Sequence, residues 1–197
     1  MMYNLAEKIG EKDIEQVMSR LNRLNRESFK IRQITTDDMS RFYRRGYNAS
    51  PYGHEEAKFI LDNPVPKAKL GELKCFIVES TVTGDIICTF CLQAHYAEGK
   101  IYIEICHLAK EFSFGSLLNY IGYRHIGMIV FERFAVPMAL AFKKALHADG
   151  VLGFVPKKRK LIKLFETTYF KALPIKESKA FKSKLEIHTN SNVFWLT

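Results

Sequence analysis

KCFIVESTVTGDIICTFCLQAHYAEGKIYIEICHLA, residues Lys74–Ala109, is the stretch on which the fold turns. β-Branched and aromatic residues crowd it, and two turn signals divide it. Gly84-Asp85 within TVTGD is a hairpin signal, and Glu98-Gly99 is a second turn. The spacing predicts three strands, KCFIVES, DIICTFCLQAHY and KIYIEICHLA, in one continuous antiparallel meander. Strand side chains alternate between two faces. Ile101, Ile103 and Ile105 therefore share one face with His107, while Tyr102, Glu104 and Cys106 share the other. The same alternation bears on Cys88 and Cys91, whose C-x-x-C spacing occurs in zinc and redox sites. Residues three apart on a strand point to opposite sides, and no second C-x-x-C follows. Cys75, Cys88, Cys91 and Cys106 read as reduced core residues, with no metal site expected.

Working outward, residues 12–26 (KDIEQVMSRLNRLNR) place Ile14, Val17, Met18, Leu21 and Leu24 on one helical face, with Asp13 as cap. This predicts a helical extension over 1–27, packed on the main domain (28–197) or on a second copy of the chain, as in a homodimer. Phe29, Ile31 and Gln33 alternate with Lys30, Arg32 and Ile34 in a short strand. Thr35 or Thr36 then caps a helix with Asp37 and Asp38 in its first turn. PYGHEEAKFILDN reads as a second helix, stopped before Pro64. After the meander, GSLLNYIG and residues 125–149 look helical, with Pro137 forcing a kink or restart and HADG a stop. VLGFV is a short buried strand. A helix follows, with Leu161, Ile162, Leu164, Phe165 and Tyr169 on its apolar face, and FKALPI and AFKSKLEIHTN read as closing strands. The class is α/β in the mixed α+β sense, with a mostly antiparallel sheet flanked by helices and an extra N-terminal helix.

The 197-residue chain is 47% hydrophobic and 26% charged, which suits one domain with a proper core. No apolar run nears the ~20 residues that span a bilayer. The N-terminus also lacks a basic start followed by an apolar segment. The expectation is a cytoplasmic protein with no membrane association. The net charge of +9 is concentrated: from Lys143 to Lys184 twelve Lys or Arg face three acids, Asp149, Glu166 and Glu177. That field can draw polyphosphates, nucleic acid or an acidic protein. The aromatics of the region lie at core spacing rather than interleaved for base stacking, which argues against nucleic acid.

The order of elements resembles the GNAT-type N-acetyltransferase superfamily. IRQITTDDMSRFYR is similar to that family's opening strand and helix, CFIVESTVTGDIICTFCL to its hairpin, and residues 150–173 to its closing strand-helix-strand unit. The resemblance implies acyl transfer from acetyl-CoA, or another acyl-CoA, to an amine of a small molecule or a protein. It implies a splayed fourth strand that holds the cofactor arm, and a phosphate loop at the start of the next helix. RHIGMI is the nearest match to that loop, through Arg124 and Gly127, although Ile129 stands where Gly or Ala belongs. FSFGS, 112–116, is the alternative. Lys158 takes the place of a common Asn on the cofactor arm, and Arg159 extends the basic patch beside it. The family's base falls on Glu104, with His107 second. Its acid, a tyrosine of the closing helix, aligns with Phe165, and Tyr169 one turn on is the substitute. Two further readings stand beside the acyltransferase. One is a catalytically silent binding or structural member, as occurs among bacteriophage proteins. The other is a basic nucleic-acid-binding protein.

Overall fold

The computed structural model of the chain describes residues 9–25, 28–35, 38, 73–110, 126–156, 159–185, 187 and 189–196. The elements in chain order are α1 (Glu11–Asn25), β1 (Phe29–Gln33), β2 (Leu73–Ser80), β3 (Ile86–Ala97) and β4 (Lys100–Lys110). Next come α2 (Ile126–Val130), a π-helical segment (Phe131–Ala135), α3 (Val136–Ala145), β5 (Gly150–Val155), α4 (Arg159–Glu166), β6 (Lys171–Ala172), α5 (Ile175–Lys184) and β7 (Asn192–Leu196). The strands form one seven-stranded sheet in the order β1-β2-β3-β4-β5-β7-β6. Only the β4–β5 pair is parallel. This is the mixed, mostly antiparallel sheet flanked by helices that the sequence predicts.

The meander forms as read. Ala97 pairs with Lys100, and Glu98 and Gly99 between them both have positive φ, 51° and 77°. That backbone suits a tight hairpin because it matches the strands' right-handed twist. Phe76, Val78, Phe90, Leu92, Ile103 and Ile105 of β2–β4 face a large core that includes Ile14, Met18 and Leu21 of α1 and Phe131, Phe134, Met138 and Phe142 of the long helical stretch. On the second face Cys75, Cys91 and Cys106 lie side by side in register. Cys88 belongs to the first face, so the C-x-x-C pair is split as strand geometry requires. Further along the second face Tyr102, Leu152, Val193 and Trp195 pack under Phe181 of α5 and Leu185 at its C-cap.

Helix α1 shares the main core. Its Asn22 also binds edge strand β1 at Ile31, accepting from the backbone N–H at 2.5 Å and donating to the carbonyl at 2.9 Å. Those edge groups would otherwise be open to a foreign strand. Leu24, placed on the apolar face by spacing, is exposed, and Asn25 is buried instead, its amide on the Leu21 carbonyl. Asp13 lies inside the first turn rather than at the cap. The Thr35 N–H and hydroxyl both donate to the Asp38 carboxylate, while the helix expected after β1 lies outside the described residues. The π-helical segment sets Val136 and Pro137 at the restart of α3, where the missing proline N–H is tolerated.

The end of the chain departs from the sequence reading. AFKSKLEIHTN is not a strand; residues 175–184 form α5, and the last strand is NVFWL, Asn192–Leu196. Phe181, Ser183 and Leu185 alternate with charges, but Phe181 and Leu185 are also one helical turn apart. Pro174 stands at the N-cap, and packing of Phe181 and Leu185 on Tyr102 and Trp195 goes with the helix. PYGHEEAKFILDN, GSLLNYIG and FSFGS lie outside the described residues.

Candidate active site

The pairing of β4 with β5 is brief. Tyr102 pairs with Gly150, Ile103 with Val151 and Glu104 with Leu152. One end of this ladder is tied by Asp149, whose N–H donates to the Ile101 carbonyl and whose carboxylate accepts from the Ile101 N–H. At the other end the strands part. Residues 153–155 of β5 pair only with β7, while β4 runs on beside β3. A bulge accompanies the parting: β4 uses three steps from Cys106 to Ala109 where β3 uses two from Cys91 to Thr89. A bulge bends its strand and raises the local twist, which carries β4 away from β5.

Glu104 stands on the last rung, on the second face of the sheet. Its Oε2 is 2.7 Å from Nε2 of His95, and both side chains are nearly buried, at 13% and 12% exposure. His95 is paired in register with Tyr102, so it reaches Glu104 diagonally across the strand pair. The Phe154 ring, from the parted end of β5, meets the imidazole edge-on at 6.3 Å. Beside them Tyr102 packs against Phe181 at 5.1 Å and Trp195 at 5.6 Å. Burial, reinforced by Asp149 and Glu98, pushes the Tyr102 hydroxyl above its ordinary range. Glu104 is therefore no freely solvated strand residue. His95 was not singled out by its position in the sequence; the signal was the parity that puts it on the face of Glu104 once the Glu98-Gly99 turn is accepted.

On the first face of the fork Phe165 of α4 covers Gly153. A Cβ on Gly153 would come within 2.2 Å of the ring. Phe165 is boxed by Phe131 at 4.7 Å, Phe170 at 5.0 Å and Phe194 at 5.5 Å. Tyr169 does not join this cluster. Helix α4 ends at Glu166, and Tyr169 takes a left-handed φ of 68° with its side chain 87% exposed. The helical spacing that put it on the apolar face stops one turn too soon.

The remaining sequence candidates divide by place. His107 falls within the β4 bulge, and its side chain lies outside what the structure describes. Gly127 lies in α2, and among the described residues a Cβ there would meet nothing within 4 Å. Thr167, just past α4, sits with its hydroxyl 3.8 Å from the Met128 sulfur, which brings the end of α4 beside the start of α2. Arg159 opens α4. Arg124 and Lys158 lie outside the described residues. Among the described residues there is no group of three His, Cys, Asp or Glu side chains suited to a metal, and no helix long and apolar enough to cross a membrane.

No family model matches the sequence, and no curated protein does. Solved structures match over most of the chain. A mutant AtaT toxin, bound to the C-terminus of the antitoxin AtaR and to acetyl-CoA, is similar with a TM-score of 0.54 and 14% identity, over 85% of this chain and 92% of the toxin. The ribosomal alpha-N-protein acetyltransferase RimL gives 0.55 and 7%, over 86% of this chain and 92% of its own. NAA60 of Arabidopsis thaliana, in complex with a bisubstrate analogue, gives 0.52 and 12%, over 85% and 97%. At such identities the likeness is one of fold.

Proposed function

We infer that this chain, which has the GNAT acetyltransferase fold, transfers an acyl group from acetyl-CoA or another acyl-CoA to an amine of a small molecule or a protein. One observation carries the reading: β4 leaves β5 directly after the Glu104–Leu152 rung, and a carboxylate–imidazole pair stands at that rung. Among the described residues no β4–β5 pairing continues past that rung, and the backbone edges there suit an amide-bearing cofactor arm. Gly127, with open space on its Cβ side, and the basic residues Arg124, Lys158 and Arg159 are the groups assigned to the cofactor's phosphates. The Glu104–His95 pair takes the proton that the acceptor ammonium must lose before its nitrogen can attack. His107, on the same strand, is the second candidate for that role.

The thiolate leaves without help from the closing helix. Phe165 has no proton to give, and a thiol of pKa near ~8.5 is a tolerable leaving group in neutral water. Tyr169 is too exposed to act from within the fork. The packing of Phe165 on Gly153 favours, as second reading, a protein that binds acyl-CoA and does not turn it over. Isothermal titration with acetyl-CoA, followed by a thiol-release assay against a panel of amines, separates the cases. Binding with turnover is expected. Binding without turnover leaves the silent protein, and absence of binding at millimolar ligand removes both.

A further inference from the structure

We propose that His95 is the group that accepts the acceptor's proton, and that Glu104 is its positioning residue. The proposal rests on the acyltransferase reading and goes beyond it by dividing the labour within the pair.

An ionised carboxylate can only accept a hydrogen bond, so the hydrogen in the 2.7 Å contact between Nε2 and Glu104 Oε2 sits on the imidazole. That tautomer leaves Nδ1 as a bare acceptor. Among the described residues Nδ1 has no hydrogen-bond partner. The Phe154 ring stands nearly perpendicular to the imidazole, with centroids 6.3 Å apart, and packs against it as an apolar neighbour. A carboxylate that fixes an imidazole tautomer and stabilises the cation formed on protonation is a familiar division of roles. The titratable groups around His95 among the described residues are Glu104 and Tyr102 of β4, with Glu98, Asp149 and Lys184 acting on Tyr102.

The step balances without an added reagent. The ammonium gives one proton to Nδ1 of His95. The freed nitrogen attacks the thioester carbonyl, the C–N bond forms as the C–S bond breaks, and the second proton of that nitrogen passes to water. The departing thiolate takes the proton from the imidazolium, which returns His95 to its neutral form.

The test compares kcat/KM against pH for wild type, His95→Gln and Glu104→Gln, with an amine found in the thiol-release assay. His95→Gln is expected to lower kcat/KM by roughly 100-fold or more and to remove the acidic limb of the profile. Glu104→Gln is expected to lower it by roughly tenfold and to move that limb without removing it. Loss of the limb in Glu104→Gln alone, with His95→Gln retaining it, makes Glu104 the base and overturns the proposal. So does an unchanged profile in His95→Gln. Wild-type turnover with either result leaves the acyltransferase reading intact, whereas a wild type that turns over no amine overturns both. If His95→Gln does not fold, 15N NMR of the wild-type imidazole decides. Hydrogen on Nε2 with Nδ1 titrating supports the proposal, and hydrogen on Nδ1 refutes it.

Discussion

Gly153 and Phe165 show how one residue can be set by the neighbour it must not touch. Any side chain at Gly153 would enter the Phe165 ring, and three other phenylalanines leave that ring nowhere to go. Gly153→Ala is predicted to cost about 1–3 kcal/mol in urea unfolding. The loss should be less than additive with Phe165→Leu, because the second change removes the clash that defines the first. Tyr169 is the opposite case, a large side chain in a backbone conformation that favours glycine and with no packing to hold it. Tyr169→Gly is expected to raise stability by about 1 kcal/mol, since left-handed backbone carries a penalty of that order for residues with a Cβ. Tyr169→Phe should leave turnover within about twofold of wild type. A large loss of turnover in that variant would place the acid on Tyr169 after all.

At the scale of elements, Asp38, just beyond β1, is locked to the sheet by charge. Arg32 donates to Asp38 from both terminal guanidinium nitrogens, at 2.6 and 2.5 Å, and to Glu79 of β2 at 2.8 Å. Burial alone would push the Asp38 carboxyl up. The hydrogen bonds from Arg32 and from the Thr35 N–H and hydroxyl outweigh it, so the carboxyl titrates below its usual range. For Arg32 the Asp38 bonds raise the pKa, against burial, and Glu79 adds to the rise. A lowered carboxyl pKa adds stability above the unfolded value near ~3.9, and that stability is lost as pH falls through the folded value. Asp38→Asn is therefore predicted to lose about 1–3 kcal/mol at neutral pH, the scale of charge-assisted hydrogen bonds in a part-buried pair. The gap to wild type should close as unfolding is followed below pH ~4. A constant gap across that range would mean that the ion pair is not its source.

At the scale of the molecule, ten of the twelve cations between Lys143 and Lys184 fall on α3, α4, β6 and α5, while Phe165 and Phe170 of that region are buried and unavailable to stack on bases. Lys163, Lys171, Lys176 and Lys179 are exposed. Acetyl-CoA binding is accordingly predicted to weaken roughly fivefold between about 0.05 and 0.5 M salt, as screening shortens the reach of these charges. Salt-independent binding would show that the basic field plays no part. Much of this architecture is legible in the amino-acid order alone. Period-2 alternation and two turn signals determine the β2–β4 meander, the split of Cys88 from Cys91 and the face of Glu104, because a strand's geometry depends on its own residues and its turns. The closing helix α5, the exposure of Tyr169 and the His95–Glu104 contact were decided by tertiary structure. Phe181 and Leu185 satisfy a strand or a helix equally until Tyr102 and Trp195 provide a surface to cover. The His95–Glu104 contact depends on the register of two strands, and the parting of β4 from β5 goes with a bulge; these are properties of paired strands rather than of either strand by itself.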